Sequence, residues 1–119
     1  MPRVTHTALV AQGAYGAYAA NAADLNMIAA DATNKEQVVF TGAEIIIAHN
    51  TGVSARTVTV TSVNDPFGRT KDVAAYSLSA GEYAALGPFE LDGWLQTDGK
   101  LYFEASHLDV KFAVIRLPA

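Results

Sequence analysis

The side chains able to do chemistry are few and scattered. His6, His49 and His107 are far apart, with no His-x-His or His-x-x-x-His pair to begin a metal site. Each reads as a strand or turn histidine bonded to backbone or water. The carboxylates Asp65, Asp72, Glu82, Glu90 and Asp92 gather around turn signals. A glycosidase needs two such groups facing each other across a substrate, and solvated turn carboxylates are the simpler reading. Asp65, Asp72, Asp92 and Asp98 lack the spacing of a calcium loop. Serine and threonine are plentiful, but no Gly-x-Ser-x-Gly elbow presents one of them as a nucleophile. Gly13-Ala14-Tyr15-Gly16 lacks the Lys-Ser/Thr that completes a phosphate loop. The chain therefore reads as a non-enzyme, with no catalytic, metal or cofactor residues assigned.

What remains is the chemistry of contact. Tyr15 and Tyr18, three apart in a run of small residues, are amphipathic anchors suited to an interface. Phe67 and Arg69 belong to the turn Asp65-Pro66-Phe67-Gly68-Arg69. Arg69 and Lys71 beside Asp65 and Asp72 read as charges that tie down this turn, or as one side of an interface ion pair. Tyr15, Tyr18, Phe67 and Arg69 are the candidate partner-contact residues.

The elements that must position them are strands. Thr57-Val58-Thr59-Val60-Thr61-Ser62-Val63 alternates with period two, which turns the valines to a core and the threonines to water. Asn64 to Gly68 stops it with turn chemistry, and Val73 to Leu78 is a less regular returning strand. Ser79-Ala80-Gly81-Glu82 turns the chain into a strand over 82–86, closed by Gly87-Pro88. Arg3 to Ala11 reads as one first strand. Val38-Val39-Phe40 is a short strand, and Glu44 to His49, with its unbroken isoleucines, suggests a strand buried on both faces. The segment 89–96 is irregular but rich in large apolar residues. Asp98-Gly99 predicts a hairpin joining 94–96 to 101–105. Val110 to Leu117 is the last strand, with Val110, Phe112 and Val114 on one face.

Short strands about ten residues apart, with frequent turns, predict one all-β domain over 1–119: an antiparallel β-sandwich, jelly-roll-like. Residues 12–35 interrupt the pattern. They read as a long loop, a short helix near 22–30, or an arm that orders against another subunit. Under the arm reading, removing residues 1–20 should leave the sandwich folded.

Half of the 119 residues are hydrophobic and 17% are charged, which excludes a disordered chain. A net charge of −4, with scattered basic residues, argues against a nucleic-acid partner. Without cysteine there is no disulfide or thiolate chemistry. No signal-peptide profile and no bilayer-length apolar run is visible, so the chain reads as soluble, used without export and without a membrane partner.

From Glu44 to Pro118 the chain resembles a family of small head proteins of tailed bacteriophages, the capsid decoration or cement proteins. The resemblance rests on His49-Asn50-Thr51, the Thr57–Val63 strand, Asp65-Pro66-Phe67-Gly68-Arg69, Gly87-Pro88-Phe89 and Gly93-Trp94. Asp98-Gly99-Lys100-Leu101-Tyr102 and Val110 to Pro118 complete it. It implies a β-sandwich subunit, often trimeric, made in the host bacterial cytoplasm. In the virion such a subunit sits on the outer capsid surface, where neighbouring major capsid proteins meet. A head–tail joining or tail component is the alternative within virion assembly. From a different class, a carbohydrate-binding module would use Trp94, Tyr76, Tyr83 and Tyr102 as a stacking platform, against which these aromatics read as core packing.

Overall fold

The threonine–valine alternation does what its period dictates: Val58 and Val60 are fully buried, and Thr57, Thr59 and Thr61 around them are half-exposed. The computed structural model describes every residue except 1, 13–15, 17, 19, 21, 22, 118 and 119. In chain order its strands are β1 (Val4–His6), β2 (Leu9–Val10), β3 (Ile28–Ala29), β4 (Glu36–Val39) and β5 (Glu44–Asn50). They continue with β6 (Arg56–Thr61), β7 (Val73–Leu78), β8 (Tyr83–Leu86), β9 (Lys100–Ala105) and β10 (Val110–Arg116).

One sheet, which we call the threonine sheet, runs β1-β4-β9-β6-β7. The other, the isoleucine sheet, runs β2-β10-β5-β8, with β3 also pairing β10. Their inner faces meet in a core of Val38, Ile46, Val58, Val60, Leu101, Phe103, Val110, Phe112 and Val114, with Phe103 and Phe112 edge to face at 4.9 Å. The all-β sandwich is thus the fold of the described residues.

Four local expectations change. The first strand is two, because the chain crosses between the sheets at Thr7-Ala8. β1 pairs β4 and β2 pairs β10, both parallel, so the two sheets are mixed rather than purely antiparallel. No helix forms among the described residues of 22–30; Ile28 and Ala29 instead pair with Phe112 and Lys111. That fixes this part of the supposed arm to the isoleucine sheet. The Asp98-Gly99 turn forms, closed by Gln96 N–H to the Lys100 carbonyl at 2.9 Å, but 94–96 joins no ladder. Lys100 onward pairs with β4 and β6 instead, where Val38 and Val60 offer buried partners for Leu101 and Phe103. Finally, β5 buries one face only: Ile46 and Ala48 lie in the core while Ile45 and Ile47 are half-exposed.

Two carboxylates on inner faces are fully buried. Glu44 accepts from the Thr41 N–H (2.9 Å) and hydroxyl (2.8 Å), from the Gly42 and Ala43 N–H groups (3.1 Å each), and from Arg116. Gly42, at φ +93°, lets the chain wrap this tightly around its own side chain. Burial alone would raise the Glu44 pKa; Arg116 and the Thr41 donors more than offset it and leave the value lowered. Among the described residues the Glu36 carboxyl has one hydrogen-bond donor, the Asp31 backbone N–H on Oε1, and Oε2 has none. Burial pushes its carboxyl up to about 7.

Candidate interaction surfaces

The β6–β7 connection is built around one carboxylate. Asp65 Oδ1 accepts from the Phe67 N–H (2.8 Å) and the Arg69 N–H (2.9 Å), while Oδ2 accepts from Arg69 Nε (2.8 Å). The Asp65 N–H donates to the Arg69 carbonyl and the Gly68 N–H to the Asp65 carbonyl, both at 2.9 Å. Donation from the Arg69 N–H holds the Asp65 carboxyl below its usual range; desolvation, the next largest effect, opposes it, and the Phe67 N–H and the guanidinium add to the lowering. The loop's base is tied by the Ser62 N–H and hydroxyl, which donate to Asp72 (2.8 and 2.7 Å), and by the Lys71 N–H, which donates to Ser62 Oγ. Asp65 and Asp72 thus both tie down the turn, but Lys71 contributes through its backbone.

At the tip of this braced loop Phe67 is 81% exposed, with the Arg69 guanidinium 5.2 Å from its ring centroid. A large apolar ring held out by a pre-ordered backbone loses little freedom when a partner covers it. Beside the loop a shallow hollow of about 180 Å³ is bounded by Asp65, Asp92, Gly93 and Trp94.

Tyr15 lies outside the described residues. Tyr18 is 62% exposed. Phe67 and Arg69 come together.

The opposite end of the sandwich carries a surface that sequence reasoning missed. Asn50 Nδ2 donates to the Ser54 carbonyl (2.7 Å) and the Leu78 carbonyl (2.9 Å), and its Oδ1 accepts from the Gly52 N–H (3.0 Å). A Cβ on Gly52 would fall 2.2 Å from Asp109 Oδ2, so a larger residue there must displace the Asp109 carboxylate. Asp109 pairs with Arg56 at 3.2 Å. On this frame Val53 is 96% exposed, and Leu108, next to Asp109 in the chain, is exposed in the β9–β10 turn. Nothing in the alternation marked them, because isolated apolar residues in polar loops carry no period.

The histidines divide. His107 Nδ1 accepts from the Asp109 N–H at 3.0 Å, in line with a turn histidine bonded to backbone. His49 stacks on Tyr83, with ring centroids 3.7 Å apart and planes 5° from parallel. His6 is buried between Phe103 and Phe112, its pKa lowered by burial, and Nε2 has no partner among the described residues. It borders a cavity of about 370 Å³ with Leu25, Ile28 and Phe112.

The four aromatics of the stacking platform are also dispersed. Tyr76 and Tyr102 belong to the threonine sheet and Tyr83 to the isoleucine sheet, while Trp94 packs on Phe89 at 4.5 Å. Tyr76 and Tyr83 are exposed rather than packed in the core.

The outer faces of the two sheets differ in kind. Thr57, Thr59, Thr61, Tyr102 and Glu104 furnish the first. Ile45, Ile47, Ala85, Ala113 and Ile115 furnish the second, interrupted by Lys111 and the His49–Tyr83 stack. No family model, curated protein or solved structure matches the chain.

Proposed function

We propose that this chain is a structural virion protein that decorates and stabilises the outer surface of a tailed-phage capsid, bound between major capsid subunits. The observation that carries the reading is the braced Asp65–Arg69 loop with Phe67 at its tip. A cement protein works by holding rather than turning over, and a rigid loop with an apolar tip suits insertion into a cleft between shell subunits. The segments that resemble the decoration family support it physically. Gly87-Pro88-Phe89 and Gly93-Trp94 form one packed unit through the Phe89–Trp94 contact. Val110 onward supplies the inner strand of the isoleucine sheet. Repeated contacts by a homo-oligomer would add modest contacts into durable attachment.

The test is co-sedimentation with expanded capsid shells of a tailed phage that encodes this chain. Wild-type protein should sediment with the shells at micromolar concentration. Phe67→Ala should weaken attachment about 10-fold or more, the scale of burying one large apolar side chain. Failure of the wild type to sediment with shells would overturn the reading.

A further inference from the structure

The two sheets end differently on the side where β7 and β8 lie. β7 is blunted: its register against β6 shifts between Val58 and Val60, Ala75 sits at φ +49°, and the Ala75 N–H turns to Thr59 Oγ1 at 3.0 Å. β8 has no such device. Its four residues, Tyr83-Ala84-Ala85-Leu86, contain no charge, proline or bulge, and its outer edge pairs with none of the described residues.

The ladder to β5 shows which groups that edge presents. The Asn50 N–H donates to the Glu82 carbonyl at 3.0 Å, so this pair is a hydrogen-bonded one. Antiparallel pairs alternate, so Ala48–Ala84 and Ile46–Leu86 are bonded, and His49–Tyr83 and Ile47–Ala85 are not. The close His49–Tyr83 stack fits a non-bonded pair, where side chains approach most nearly. The N–H and C=O groups of Tyr83 and Ala85 therefore point away from β5, as two donors and two acceptors in a row.

We propose that β8 pairs antiparallel with β8 of a second copy of this chain, about a two-fold axis at Ala84. Tyr83 of each chain then faces Ala85 of the other, and all four outward groups of each strand are satisfied by four hydrogen bonds. The register keeps outer face against outer face, so the isoleucine sheet continues through the seam. Ala84 and Ala85 line it with Tyr83, and Ala84 meets Ala84 in a non-bonded pair with Cα atoms about 4.5 Å apart. A second copy is the natural occupant because the row of groups is its own complement under that axis.

The chain has no cysteine, so one introduced thiol is a clean reporter. Ala84→Cys should give a disulfide-linked dimer on mild oxidation, since that separation lies within the range a disulfide spans. Ala80→Cys, in the exposed β7–β8 turn, should cross-link at least about 10-fold more slowly. Wild-type protein should show an even number of chains by light scattering. Ala85→Pro, tolerated on an edge whose N–H faces outward, removes two of the four bonds and should raise the dissociation constant about 10-fold or more. Equal cross-linking by the two cysteine variants, or a mass of one or three chains, overturns β8 pairing. Either result leaves capsid attachment to be judged by sedimentation alone.

Discussion

Glu36 and Glu44 face the same core with opposite consequences for pH. The Glu36 carboxyl lies at about 7 in the fold against an ordinary 4.5, so the folded state holds a proton that the unfolded chain has released. Its contribution is intact below 4.5 and is lost as pH rises to about 7. Glu36→Gln should therefore leave stability at pH 4 little changed and raise it at pH 8 by up to about 3 kcal/mol, the equivalent of that displacement. Urea unfolding of both proteins across this range checks it; parallel pH profiles would count against an ionising Glu36. Glu44, with its lowered pKa, behaves in the other sense: its contribution is present above the carboxylate range and is lost as pH falls through it. Arg116→Ala leaves that buried carboxylate without its cation and should cost about 3–5 kcal/mol in the same assay. None of this was legible in the sequence. Glu44 reads there as the polar flank of an isoleucine run, and only the fold shows loop 41–43 closing over it.

Among the elements, legibility followed periodicity. β6 alternates cleanly, burying Val58 and Val60; β10 buries the Val110, Phe112 and Val114 face that the alternation assigns, and Ala113 on the other face as well. The misread elements are those whose partners decide them. Arg3 to Ala11 has strand character throughout, yet no period announces that the chain changes sheets at Thr7-Ala8. Trp94 to Gln96 precedes a good turn, yet Lys100 to Ala105 finds better partners in β4 and β6. The Asp65–Arg69 loop was legible as a turn because its residue types carry the mechanism, and Phe67 was already a candidate contact residue there. Asp65→Ala should undo the bracing, since three of the loop's hydrogen bonds end on that carboxylate. Trypsin cleavage after Arg69 should then speed up by about 10-fold or more under native conditions, as local opening becomes easier. Unchanged cleavage, with the fold intact by circular dichroism, would mean that the bracing lies elsewhere.

In the whole molecule, the N-terminal residues are not an appendage. β1 covers the edge of β4, β2 covers part of β10, and His6 occupies the core between two phenylalanines. Deleting residues 1–20 should therefore unfold or severely destabilise the sandwich, contrary to the expectation for a detachable arm; a cooperative thermal transition retained near the wild-type temperature would restore the arm reading. Val60→Asp or Phe112→Asp places an unpaired charge in the fully buried core, and neither variant should accumulate as folded protein. A soluble Phe112→Asp variant with native circular dichroism would sink the assignment of β10.

The order of the strands also sets a clock. β10 lies between β5 and the short strands β2 and β3, yet it is the last of the ten in chain order. During synthesis the isoleucines of β5 emerge long before residues 110–116, and until then one side of their ladder has nothing to join. An apolar strand must wait in the open, and pairing across such a separation is slow once it begins. The same sheet whose outer face is rich in isoleucine is thus the one completed last. A nascent chain of this protein has most need of a chaperone in the interval between β5 and β10.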